Sequence, residues 1–102
     1  MQRIFEALAS TTRRDMLTHL AAGEMNAGDI AAHFAMSKPA ISQHLAILEA
    51  AGLVTREKRG QFVFYRQAPG TLSDTLTAFL RDAGVAPATL KPRKDKKRKK
   101  AK

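Results

Sequence analysis

The stretch SKPAISQHLAILEAAG, residues 37–52, predicts one short helix with a clear beginning and a clear end. Ser37 is the expected N-cap, because its hydroxyl can accept a hydrogen bond from a first-turn N–H that otherwise lacks a partner. Pro39 fits the first turn, where its missing N–H costs nothing. Gly52 suits the left-handed position after a helix, and the apolar Leu53 follows it. We call this stretch the central helix, and the other segments are interpreted around it.

The two faces of the central helix differ in chemistry. Ile41, Leu45 and Leu48 follow the i, i+4, i+7 spacing of a stripe that faces a core. The opposite face is small and polar and has no acidic group; it consists of Pro39, Ser42, Gln43 and Ala46. A helix with an apolar back and a slim hydrogen-bonding front fits the major groove of DNA. Taken alone, the stretch also fits an ordinary surface helix.

Three further helices are predicted before the central one. Residues 2–9 carry an apolar stripe, and Ser10 or Thr11 is the expected cap of a second helix that Gly23 ends. Asn26 begins a third, short helix. Two helices joined by a turn of about three residues are typical of a helix-turn-helix, whose second helix is the reader.

After the central helix the pattern changes to period two. Residues 53–58 and 61–66 are rich in Val, Thr, Phe and Tyr, and Arg59-Gly60 between them predicts a compact turn. The result is a two-stranded ribbon with a basic tip at Lys58 and Arg59. A last helix is predicted over residues 71–83, with its stop at Gly84.

The net charge of +9 is distributed unevenly. Residues 91–102 hold nine Lys or Arg and one Asp, so they carry +8, whereas the first ninety residues carry only +1. Within those ninety, basic residues still cluster, which is the electrostatic pattern that matters for nucleic-acid binding. We expect one domain over residues 1–85 and a disordered Lys/Arg-rich tail over residues 86–102.

Several protein classes are disfavoured by composition. The chain has no cysteine, which excludes disulfides and thiolate metal sites. It has no apolar run near the roughly 20 residues of a membrane span and no signal-peptide core, so we expect a cytoplasmic protein. If it binds DNA, we expect it to be associated with the bacterial nucleoid. No nucleophile elbow, phosphate loop or paired acid cluster is present, so we do not expect an enzyme.

Three runs of sequence resemble the arsenical-resistance repressor (ArsR) family: FEALASTTRRDMLTHLAAGEM, DIAAHFAMSKPAISQHLAILEAAGLV and REKRGQFVFYR. The resemblance covers about residues 4–66, and the second run is its most specific part. It implies a mainly α winged helix-turn-helix with four helices, a two-stranded β-wing and a fifth helix. It also implies a symmetric homodimer, formed by the first and last helices, that represses transcription at a short inverted repeat in double-stranded DNA.

Three alternatives stay open beside that interpretation. One is a general nucleic-acid-binding or compacting protein whose affinity comes mainly from the basic tail. Another is a regulator that responds to an unidentified effector at the dimer interface. The third is a protein-interaction module that has kept the fold but does not bind an operator.

The metal sites of the family do not carry over to this chain. Many members hold two cysteines within a motif of the form ELCVCDL, and Asn26 and Gly28 stand at those positions here. Other members use His and Asp on the last helix, which here has Asp74 and Asp82 but no His.

Two Asp-His pairs at i, i+4 remain, Asp15 with His19 and Asp29 with His33. Each pair supplies only two ligands, whereas a structural zinc site usually has four. We therefore expect no metal site and no cofactor.

Two sets of candidate residues follow. Basic and polar side chains that can reach DNA are Arg13, Arg14, Lys38, Pro39, Ser42, Gln43, His44, Lys58, Arg59 and Gln61. Apolar side chains that can form a dimer are Ile4, Phe5, Leu8, Leu72, Leu76, Phe79 and Leu80. His44 lies about 60° from the apolar stripe of its helix, so it is either a half-buried packing residue or a phosphate donor.

Overall fold

The computed structural model describes residues 1–85, which form five helices and three strands. In chain order the elements are α1 (Gln2–Leu8), α2 (Thr11–Ala22), β1 (Met25–Asn26), α3 (Ala27–Phe34), α4 (Lys38–Ala50), β2 (Val54–Arg59), β3 (Phe62–Gln67) and α5 (Thr71–Asp82). The predicted winged helix-turn-helix is confirmed, with one strand added. The predicted disordered tail, residues 86–102, lies outside the described residues.

The strands form one antiparallel sheet in the order β1-β3-β2. The sequence interpretation missed β1, because two residues are too few to show a period of two. Met25 pairs with Tyr65 and Asn26 with Phe64, so the strand ties the α2–α3 connection to the hairpin. Asn26 also caps α3, since its Oδ1 accepts a hydrogen bond of 2.8 Å from the backbone N–H of Asp29.

The hairpin turn lies one residue later than predicted. Arg59 pairs with Phe62, so the two loop residues are Gly60 and Gln61 instead of Arg59 and Gly60. Gly60 has a φ of +62° at the first loop position, which fits a type II′ turn. Because only glycine adopts that conformation at little cost, Gly60 takes the loop position and Arg59 stays in β2.

Both ends of α4 agree with the sequence prediction. Ser37 Oγ accepts a hydrogen bond of 3.3 Å from a first-turn backbone N–H, as an N-cap should. At the other end Gly52 has a φ of +77°. The Leu53 N–H reaches the Leu48 carbonyl at 3.0 Å, which completes a Schellman-type C-cap.

The core lies within residues 1–72, which form one compact unit. Its buried side chains are Ile4, Ala7, Met16, Leu17, Leu20, Ile30, Ala31, Ile41, Leu45, Leu48, Leu53, Val54 and Tyr65. The whole apolar stripe of α4 is therefore in the core, together with Tyr65 of β3. Phe62 of the same strand is not part of the core, because it lies next to the hairpin loop and is 52% exposed.

A second compact unit begins at Ser73 and contains most of α5. No residue of α5 is buried, although Leu72 in its first turn packs against the core of the first unit. The helix ends as predicted, since Gly84 has a φ of +82° and the Val85 N–H reaches the Leu80 carbonyl at 2.8 Å. Among residues 1–85, no helix has the length and apolar character that a membrane span needs.

Candidate nucleic-acid interface

The front of α4 is an exposed surface without acidic side chains. Pro39, Ser42, Gln43 and Ala46 are all exposed, as the helical spacing predicted. They hold this position because the buried stripe fixes the rotation of the helix and the two caps fix its ends. Glu49, the acidic residue of this helix, lies at its last turn and pairs with Arg56 at 3.3 Å.

The hairpin lies beside the first turn of α4, across a small cleft of about 270 Å³. Lys38 lines the cleft from α4, and Gln61 and Val63 line it from the hairpin. Lys58 is paired with Val63 in the β2–β3 register, so its backbone borders the same region. The structure thus brings Lys38 of α4 and Gln61 of the hairpin to one cleft. We call the exposed DNA-contact candidates of these two segments the reading surface: Lys38, Pro39, Ser42, Gln43, Lys58 and Gln61.

The first turn of α3 and one aromatic side chain also line this cleft. Asn26, Ala27 and Gly28 contribute from the start of α3, and Phe62 contributes from β3. The sequence interpretation did not include them. The strand pattern did not predict that Phe62 is exposed. A period of two shows which face of the ribbon a side chain lies on, but it does not show how far along the strand the helices cover that face.

Arg13 and Arg14, two of the residues predicted to reach DNA, form hydrogen bonds within the chain. The Arg13 Nε donates to the Ala7 carbonyl at 2.8 Å and its Nη2 to the Glu6 carbonyl at 3.0 Å. The Arg14 Nη1 donates to the Leu8 carbonyl at 2.6 Å. The two guanidinium groups therefore cap the end of α1, whose last carbonyls have no partner within the helix.

Cations in the first turns of α2 are disfavoured by the dipole of that helix, but these two side chains reach the end of α1, where the dipole favours a cation. The sequence did contain a signal for this role, because Ala9, which follows the last residue of α1, is not a glycine that would cap the helix. The contact of both arginines with DNA stays a prediction.

His44 is half-buried behind the reading surface. Its Nδ1 lies 3.3 Å from Arg13 Nη1, so the ring joins α4 to the guanidinium that caps α1. The sequence left two roles open for His44, half-buried packing or hydrogen bonding to phosphate. The contact with Arg13 favours packing.

The basic tip predicted for the hairpin is largely neutralised. Arg59 donates to both carboxylate oxygens of Glu24, at 2.6 and 2.8 Å, and to Glu57 at 2.9 Å. Its guanidinium also lies over the Phe64 ring, 4.5 Å from the centroid. The hydrogen bond from Arg59 lowers the pKa of Glu24, and the bonds to Glu24 and Glu57 raise the pKa of Arg59.

The hairpin cations thus fall into two groups. Arg56 and Arg59 are paired with carboxylates, whereas Lys58 and Arg66 form no ion pair with any residue among 1–85. Arg66 still acts on the same cluster, since its charge contributes to lowering the pKa of Glu24. Lys58 is therefore the side chain of the predicted tip whose charge is available to an anionic partner.

The comparison with known families gives a match over residues 10–56 to the family described as "Bacterial regulatory protein, arsR family". Among curated proteins, the chain is similar to the transcriptional repressor SdpR of Bacillus subtilis. The two are 42% identical over 80 residues, which are 78% of this chain and 89% of SdpR. The chain spans only 48 to 62% of three other curated relatives.

Two solved structures share the fold at substantial identity. A possible transcriptional regulator for arsenical resistance is 42% identical with a TM-score of 0.69, and the match covers 79% of this chain and 83% of that one. An ArsR-like transcriptional regulator from Rhodococcus sp. RHA1 is 32% identical with a TM-score of 0.75. That match covers 81% of this chain and 76% of the Rhodococcus protein.

Proposed function

Because the chain belongs to the arsR family of bacterial regulatory proteins, we propose that it acts as a homodimer that represses transcription at an inverted-repeat operator. It is a sequence-specific regulator that binds double-stranded DNA. The observation that carries the proposal is the exposed, acid-free front of α4 beside the hairpin cleft. The chain has no cysteine, so the repressor operates without the thiolate switch of many relatives.

The reading surface divides into groups that read bases and groups that position the protein. Ser42 and Gln43 lie on the front of α4 and supply neutral donors and acceptors, and glutamine suits the paired donor and acceptor of adenine in the major groove. Lys38, Lys58 and Gln61 surround the cleft and suit phosphate oxygens, which fix register without selecting sequence. Arg13, Arg14, His44 and Arg59 are left out of this surface, because each already has partners within the chain.

The homodimer rests on apolar side chains that the single chain does not bury. Leu76 and Leu80 stay partly exposed on α5, and Leu8 stays partly exposed on α1. Ile4 leaves the predicted set, because only 6% of it is exposed and it belongs to the core. A two-fold axis would present two α4 helices to DNA about 34 Å apart, which requires an inverted repeat.

The dimer is tested by Leu76→Asp, with Arg81→Asp on the exposed side of the same helix as the matched control. A charge on the apolar face should convert the dimer to a monomer and weaken operator binding at the same time, whereas the control should do neither. Sedimentation and DNA titration measure the two effects. A monomeric wild type at micromolar concentration, or a Leu76→Asp variant that stays dimeric, contradicts the proposal.

The rival is a nucleic-acid-compacting protein that depends on the basic tail. The two differ in sequence preference, because a repressor should bind one site at least about 10³-fold more tightly than random DNA. Selection from a random DNA pool should therefore return one palindrome. Recovery of no consensus would favour the rival. We propose that the protein acts at the nucleoid in the cytoplasm. We propose no catalytic role for it and name no effector.

A further inference from the structure

Two histidines lie together on the surface, away from the reading surface. The sequence places each of them four residues after an aspartate, but the structure pairs them with each other. Nε2 of His19 lies 2.8 Å from Nε2 of His33, and the ring centroids are 3.9 Å apart. Both side chains are exposed, so solvent and ions reach the pair.

The pair is held in place by the helices that carry it. His19 lies in the last turn of α2 and His33 in the last turn of α3. Phe34 packs edge-on against both rings, with centroid distances of 5.4 Å to His19 and 5.0 Å to His33. Two buried residues anchor these turns in the core: Leu20, which directly follows His19, and Ile30, three residues before His33.

We propose that His19 and His33 form a surface binding site for a divalent transition metal, which links the end of α2 to the end of α3. Imidazole nitrogen is a ligand preferred by zinc, copper and nickel. Two such ligands at about 2.0–2.1 Å from a tetrahedral metal stand roughly 3.3 Å apart. Opening the pair by about half an ångström meets that geometry, and exposed side chains can rotate that far.

The site has two protein ligands, and water takes the remaining positions. Among residues 1–85 no third His, Cys, Asp or Glu joins the pair in a metal-binding cluster. Binding is therefore weaker than at a four-ligand structural site, and the metal exchanges. Each Nε2 must offer its lone pair to the metal, so a proton carried by either Nε2 moves to the Nδ1 of the same ring or to solvent when the metal binds. The affinity should follow the general order for nitrogen ligands, with copper above nickel and zinc, and manganese weakest.

The test is calorimetry on the full chain with Ni²⁺. The wild type should bind one Ni²⁺ per chain, and His19→Gln and His33→Gln should each weaken that binding at least tenfold. His44→Gln is the matched control, because the third histidine of the chain lies elsewhere, and it should bind like the wild type. Asp15→Asn and Asp29→Asn should also bind like the wild type, which separates the interhelical pair from the two Asp-His pairs in the sequence.

A stability measurement guards against variants that lose structure for other reasons. A ligand at one hundred times its Kd shifts the folding equilibrium about 100-fold when it binds only the folded state. Ni²⁺ should therefore raise the Tm of the wild type and of His44→Gln, but not that of either pair variant. Absence of one-to-one binding in the wild type, or binding that survives both His19→Gln and His33→Gln, would overturn the proposal.

Discussion

The front of α4 and the outer face of the β2–β3 hairpin are both exposed, but they differ in how their polar groups are used. On α4, the side chains of Ser42 and Gln43 are exposed and form no hydrogen bond with another residue among 1–85. On the hairpin, Arg59 is held by two carboxylates and Arg56 by a third. The hairpin has more charge in its sequence, whereas α4 has more hydrogen-bonding capacity left for a partner.

The difference shows that a count of basic residues overestimates the surface available to DNA. An exposed ion pair contributes little to stability, about 0–1 kcal/mol. It nevertheless removes much of the attraction that the cation would exert on a phosphate. By this criterion Lys58, and not Arg59, is the hairpin cation that belongs to the reading surface. Preference for one DNA sequence should therefore depend on the polar front of α4. Affinity for DNA of any sequence should depend on the charges outside that front.

The largest expected effect on affinity comes from residues 91–102, which carry +8. We propose that they bind DNA through charge alone, as a polycation that reads no bases. Each phosphate they neutralise adds about 0.9 to the slope of log K against log salt. Removing them should weaken binding to operator and random DNA alike and flatten the slope, while the selected sequence stays the same. Titrations at two salt concentrations decide this, and equal slopes for both forms would assign the tail to another partner.

Truncating a side chain on the buried face of α4 should lower stability strongly, whereas truncating an exposed side chain of the hairpin should have a small effect. Leu48 is fully buried, so Leu48→Ala should lower the free energy of unfolding by about 2–5 kcal/mol through lost contacts and a cavity. Phe62 is 52% exposed, so Phe62→Ala should change it by only about 0.5 kcal/mol. Urea unfolding of both variants measures the difference. Equal losses would mean that the hairpin end is packed in solution.

A smaller effect separates the two cations of the predicted tip. Lys58→Ala should reduce the salt slope of DNA binding by about 1 and weaken all sequences alike. Arg59→Ala should leave the slope unchanged, because Glu24 and Glu57 already hold that charge. An equal reduction in both variants would show that Arg59 exchanges its carboxylates for phosphate when DNA binds.

The sequence predicted what depends on near neighbours along the chain. The caps of α4, its buried stripe and the stop of α5 are set by residues one to seven positions apart, and all three were predicted. The hairpin turn was displaced by one residue, because Arg59-Gly60 and Gly60-Gln61 both place a glycine in a two-residue loop.

What was missed depends on contacts that cross the fold. Arg59 meets Glu24 across 35 residues, and His19 meets His33 across 14. Arg13 reaches back over a turn to the end of α1. Helical and strand periodicity describe which face a side chain occupies, but they do not say which partner from another element lies opposite it.

The central claim, that the front of α4 reads sequence, is tested most directly by competition binding with Gln43→Ala. The matched control is Gln2→Ala, which makes the same change at an exposed position on α1. Each protein is titrated with the selected operator and with its single-base variants. Gln43→Ala should reduce discrimination at particular base pairs by about 1–3 kcal/mol while Gln2→Ala keeps the wild-type profile. An unchanged profile for Gln43→Ala would contradict the assignment of α4 as the reading element.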